Sequence, residues 1–240
     1  IASHRRTGNE ALSRALTRLA GLPGSPDLTA ARNALETAQR TAEELRRQVD
    51  GVLATNAGNA DLMRQWFPAL TGLIATTQEL RVAAESTLAG NLDTRLRRGF
   101  DLKAGLSQMS EFAGQERGMM AGIIASGRPL SLGQLAAVSR LQGQVGSAWT
   151  AIRQQRQNFG SEFAGAVARI EQTYGEPVNV LRAHVLEASA QGQPYPVNAE
   201  QWFATVTNGI EAILAAERTA STEMQSLMTR AVEGAQFTLQ

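Results

Sequence analysis

Apolar residues recur three and four positions apart along almost the whole chain, broken only at a few Pro, Gly and Asn sites. That pattern leaves little room for anything but helices. No segment shows the clear period-two alternation of a half-buried strand. Composition agrees, because 39 of the 240 residues are Ala and aromatic residues make up only 5%, a profile of small-residue helix packing. The chain is predicted to be all-α.

The breaks place the helices. The first is expected over Ser3 to Ala20 with Leu12, Leu16 and Leu19 on one stripe, ending at Gly21-Leu22-Pro23-Gly24. Ser25 caps the second, Pro26 takes its first position, and it runs through Leu35, Leu45, Val49 and Leu53 toward Ala57. A third starts near Ala60, absorbs Pro68 with a local bend and continues to Ala89. Asn91 caps a fourth that runs to Ser126 and stops at Gly127-Arg128-Pro129. Ser131 with Gln134 forms a capping-box pattern that opens a fifth, whose stripe is Leu135, Val138, Leu141, Val145, Ala148 and Ile152. Interruptions are expected at Asn158-Phe159-Gly160 and Tyr174-Gly175-Glu176-Pro177, before Val180, Leu181, His184 and Val185 resume the pattern. After the Gln193-Pro194-Tyr195-Pro196 loop, Asn198 caps the last helix.

An internal match adds organisation. Gln65-Trp66-Phe67 and the apolar spacing after it reappear at Gln201-Trp202-Phe203, with Thr71 and Thr207 each five positions after the Trp. Duplication then predicts two stacked up-and-down four-helix bundles sharing long helices. A first, degenerate bundle spans 1–105, and a second spans 106–240 and carries the Gln-Glu-Arg-Gly stretch at Gln115 to Gly118. Trp66 and Trp202 are expected to plug equivalent core positions.

Several function classes drop out. The chain has no Cys, and His4 and His184 are its only histidines, so Cys-ligated zinc, iron–sulfur clusters and three-histidine metal sites are excluded. Neither histidine follows a Glu by three residues, as a di-iron bundle site requires. There is no Walker loop, dinucleotide fingerprint or nucleophile elbow. The expectation is a protein that is not an enzyme and carries no cofactor and no metal. Balanced charge, 23 basic against 22 acidic residues, gives no reason for a nucleic-acid partner. No apolar run approaches the roughly 20 residues of a membrane span. The ends at Ile1 and Gln240 fit a domain excised from a longer protein.

The stretch Glu111-Phe112-Ala113-Gly114-Gln115-Glu116-Arg117-Gly118-Met119-Met120-Ala121-Gly122, with the Gly-Arg-Pro-Leu-Ser turn after it and the helix ending in Ala148-Trp149, resembles the bacterial nitrate- and nitrite-sensing domain. Tyr195 to Phe203 looks like the start of the last helix of the same kind of domain. The resemblance is carried from Leu106 onward and more loosely by the first half, where Arg5-Arg6-Thr7-Gly8-Asn9-Glu10 is a degenerate counterpart. There His4 stands where the motif has Glu, and Arg6 where it has Gly. The resemblance implies a periplasmic input domain of a chemoreceptor or histidine kinase that acts in chemotaxis or related signalling. It also implies a homodimer anchored by flanking transmembrane helices, a small anionic ligand, and Arg117, Gln115, Glu116, Arg5 and Arg6 as candidate ligand-binding residues.

Physical chemistry bears on the same residues. A small planar anion needs planar N–H donors, and an Arg fork supplies them where Lys offers a point charge. Arg117 lies mid-helix among small and apolar residues, so Glu116, Glu111 or a bound anion must compensate it, unless the side chain snorkels to water. Gly114, Gly118 and Gly122 form a row that predicts a close helix approach, inside the bundle or at a dimer interface. His184 is expected at a core or boundary position. Two other readings compete with nitrate or nitrite sensing: the same architecture tuned to a small carboxylate or another metabolite, and a purely structural dimerisation module.

Overall fold

The computed structural model describes residues 2–21, 24–55, 60–88 and 94–237. They run as α1 (Ala2–Leu19), α2 (Pro26–Thr55), α3 (Ala60–Leu88), α4 (Thr94–Ser126), α5 (Leu132–Gln155), α6 (Ser161–Ile170), α7 (Glu176–Ala190) and α8 (Ala199–Phe237). A 3₁₀ turn, Arg156–Asn158, follows α5, and a π turn, Glu171–Gly175, joins α6 to α7. No strand occurs among the described residues, so the all-α expectation holds. None of their helices is long and apolar enough to cross a membrane.

Local rules set most boundaries. Ser25 Oγ accepts the Leu28 N–H at 3.1 Å, with Pro26 at the first position of α2. Ser131 and Gln134 close a reciprocal capping box on α5. Asn198 does the same for α8, accepting the Gln201 N–H at 2.8 Å while the Gln201 side chain accepts the Asn198 N–H at 3.0 Å. Gly127 and Gly192 stop α4 and α7 in the left-handed region, at φ +63° and +65°. Pro68 sits inside a continuous α3. Leu22, Pro23, Gly58, Asn59 and the Asn91 cap lie outside the described residues.

The chain divides into two compact units between Leu92 and Asp93. In the first, Leu28, Ala31 and Leu35 of α2 pack on Leu80, Ala83 and Ala84 of α3, and Leu12, Leu16 and Leu19 of α1 lean against them. A smaller cluster joins Leu45, Val49 and Leu62 to half-buried Trp66. Leu53, expected on the same stripe, is 69% exposed.

In the second unit α4 packs on α5 and α8, and α6 packs on α8. The buried positions of α4 include Leu102, Leu106, Met109, Ala113, Glu116, Met120 and Ile123, whose spacing alternates four and three in the manner of a bundle seam. Val138, Leu141, Val145, Ala148 and Ile152 of α5 are buried as expected, while Leu135 is exposed. Trp202, Val206, Ile213, Ala216 and Ala220 line the inner face of α8.

Two architectural expectations need correction. The division expected between residues 105 and 106 falls inside α4, because its seam runs unbroken from Leu102 to Ile123 into a single core. The first unit holds three helices among its described residues. The repeat is also unequal: Trp202 is fully buried, Trp66 only half-buried, and Phe67 and Phe203 are both exposed.

Within the second unit a close glycine approach occurs at Gly209 rather than at Gly114 or Gly122. A Cβ at Gly114 or Gly122 would meet no atom within 4 Å, so neither brings helices of this unit together. At Gly209 of α8 a Cβ would stand 2.8 Å from Cδ2, 2.9 Å from Cβ and 3.0 Å from Cα of Tyr174. Because Tyr174 backbone is among the atoms met, α8 and the π turn must separate to admit a methyl group. Gly209→Ala should therefore destabilise the second unit by about 1–3 kcal/mol, measured by urea unfolding. Gly99→Ala meets only the flexible end of Met224 and should cost less.

Candidate functional site

Adjacent residues on a helix point about 100° apart, and the Gln-Glu-Arg-Gly stretch divides its two charges accordingly. Glu116 occupies a seam position of α4 and is fully buried. Its partner comes from α7, whose buried residues Val178, Arg182, Val185 and Ser189 repeat the four-three spacing with Arg182 in an otherwise small or apolar slot. Arg182 Nε donates to Glu116 Oε1 at 2.5 Å and Nη2 to Oε2 at 2.8 Å, a bidentate pair inside the core. Arg182 Nη1 also donates to Asn179 Oδ1. Longer contacts reach the carboxylate from Gln142 Nε2, at 3.4 Å, and from the Tyr174 hydroxyl, at 3.5 Å. Burial is the largest single influence on Arg182 and pulls its pKa down, but the hydrogen bond and charge of Glu116 together outweigh it and leave the guanidinium raised.

Tyr174 sits on the π turn, a geometry often found at functional positions. Burial first, and then the Glu116 charge, push its phenol well above the ordinary 10.0. The folded state thus holds this proton more tightly than the unfolded chain. The associated stability is complete below pH 10.0 and is lost as pH rises above it toward the folded value. Unfolding free energies measured below and above that pH should show an alkaline decline, and Tyr174→Phe should flatten it.

Arg117 turns the other way, toward α8. Its guanidinium carbon lies 4.2 Å from the centroid of the Phe203 ring, a cation–π contact. Nη1 donates to Thr207 Oγ1 at 2.8 Å, and the Arg117 carbonyl accepts the Trp202 indole N–H at 3.1 Å. Its Nε is buried with no hydrogen-bond partner. Among the described residues no carboxylate pairs with it, since Glu116 is taken by Arg182 and Glu111 accepts from Gln115 Nε2 at 2.8 Å. Desolvation by burial lowers its pKa, as expected for a half-buried cation lacking an anion. Phe203 and Thr207 also line an open groove of about 620 Å³ bordered by Ala121 and Ala204.

The family model described as nitrate and nitrite sensing matches residues 1–225 of the chain. The chain belongs to that family. No curated protein and no solved structure is significantly similar to it.

In this member of the family the expected site residues do not converge on one point. Arg117 carries an open valence, whereas Glu116 is committed to Arg182 and faces a different neighbour. Gln115 is held along α4 by Glu111. In the first unit, Arg5 is paired with Asp50, with Nη1–Oδ2 at 2.6 Å and Nη2–Oδ1 at 3.0 Å. Arg6 is exposed on α1, and the side chain of His4 lies outside the described residues. His184 is exposed rather than set in the core, because Val185 and Arg182 take the inward positions of α7.

Arg182 escaped the sequence reading, although a signal existed. A lone acid in the apolar seam of α4 and a lone Arg in the seam of α7 are each too costly to bury alone, so they call for one another.

Proposed function

We propose that this domain is the input module of a transmembrane signalling receptor, located in the periplasm and working as a membrane-anchored homodimer. It binds nitrate or nitrite at Arg117 and transmits a displacement of α4 relative to α8. The observation that carries this reading is the buried, unpartnered Nε of Arg117 in a guanidinium with no carboxylate partner. A planar trigonal oxyanion matches the planar N–H edge of such a group. Thr207 and Phe203 hold the guanidinium in place beforehand, so little side-chain freedom is lost on binding. Because these two contacts come from α8, an anion that draws Arg117 to itself loosens or tightens the α4–α8 contact directly.

Calorimetric titration of the chain with nitrate, nitrite, chloride and acetate at constant ionic strength tests the proposal. Saturable heat for nitrate or nitrite, with little for chloride, is the expected result. Tighter binding of acetate would assign the site to a carboxylate ligand. No saturable heat for any of the four at millimolar concentration, in protein that remains helical, would leave the domain as a structural module.

A further inference from the structure

A partly open cleft lies on the other side of α4, among α4, α5 and the α6–α7 segment, with a volume of about 220 Å³. Its walls are apolar at Met109, Val145, Ile170 and Trp149, and polar at one end, where Gln142, Tyr174, Asn179 and Arg182 meet. It is smaller than the roughly 300–1,000 Å³ of pockets that take drug-sized ligands, so its occupant is small.

The charges around it are already balanced. Arg182 is bound bidentately by Glu116. Nearby, Arg153 lies 5.9 Å from the centroid of the lining Trp149 ring and 3.9 Å from Glu171. An entering anion would have to share Arg182 with Glu116 and leave a net negative charge among apolar walls, and a cation would leave a net positive one. Neither is favoured.

The amides show what is favoured. Gln142 Nε2 donates to Glu116, which leaves Gln142 Oε1 to accept. Asn179 Oδ1 accepts from Arg182, which leaves Asn179 Nδ2 to donate. The polar end therefore offers one open acceptor and one open donor beside an aromatic ring, the complement of a carboxamide edge. We propose that this cavity binds a small, uncharged, planar molecule bearing a carboxamide-type edge, at a site separate from Arg117. The Glu116–Arg182 pair serves there as the fixed frame that orients Gln142 and Asn179.

Benzamide, benzoate and benzamidinium share one shape and differ in charge, which makes them suitable probes. Titrated into the whole chain with saturation-transfer NMR and calorimetry, benzamide should bind at least tenfold more tightly than either ion. Gly146 lines the cavity, and a Cβ there would meet no atom within 4 Å. Gly146→Leu should therefore fold normally, fill the space and abolish benzamide binding while leaving any nitrate heat unchanged. Asn179→Leu, at an exposed position of α7, removes the open donor and should weaken benzamide at least tenfold even if Gly146→Leu misfolds. The proposal is overturned if benzoate or benzamidinium binds as well as benzamide, if none of the three binds, or if folded Gly146→Leu retains benzamide affinity.

Discussion

Replacing Glu116 with leucine should lower the unfolding free energy of the second unit by about 3–5 kcal/mol, because it leaves the Arg182 guanidinium buried without its anion. Total stabilities of about 5–15 kcal/mol make this a large fraction of what the unit has. At about 2–4 °C per kcal/mol for a domain of this size, the melting temperature should fall by at least about 6 °C. Arg182→Leu should cost as much, since it strands a fully buried carboxylate. The double variant is the informative one. With both charges gone the seam of α4 meets the seam of α7 as apolar on apolar, and stability should return to within about 1–2 kcal/mol of the parent or exceed it. A double variant whose loss equals the sum of the single losses would show that the two side chains are not coupled in the core.

The second large effect is on ligand. Arg117→Met should weaken nitrate by roughly 10–150-fold, the equivalent of the 1.5–3 kcal/mol expected when a charge-assisted hydrogen bond is removed. It should also raise the melting temperature of the unliganded domain by about 2–4 °C, since a desolvated cation with an unpartnered Nε is exchanged for an apolar side chain of similar length. Gain of stability together with loss of binding marks a residue kept for its ligand rather than for the fold. Arg117→Lys keeps the charge but not the fork and should recover only part of the affinity. A calorimetric nitrate titration that is unchanged in Arg117→Met, or a melting temperature that falls, would remove Arg117 from the binding site.

Much of the fold was legible because its determinants are local. The Ser25, Ser131 and Asn198 caps, the left-handed stop at Gly127 and the four-three stripes of α5 each act within one or two turns of chain. The family resemblance rested largely on Glu111 to Gly122, a stretch that is equally local. The glycine row does not mark a close approach inside this unit at Gly114 or Gly122, because spacing alone cannot tell a helix face that meets a neighbour in the same bundle from one that does not. Gly114 and Gly122 meet nothing, while Gly209 meets Tyr174.

By itself, then, the sequence determined that the chain is helical and, among the described residues, where Ser25, Ser131 and Asn198 open helices and Gly127 stops one. Only the tertiary structure decided which charge is spent and which is open. Glu116 and Arg117 are neighbours in sequence, yet the turn of the helix sends one to Arg182, 66 positions away, and the other to Phe203 and Thr207 on α8. Partner choice across such separations depends on which seams face each other once the core closes. A buried ion pair forms only when both of its halves have lost their water together.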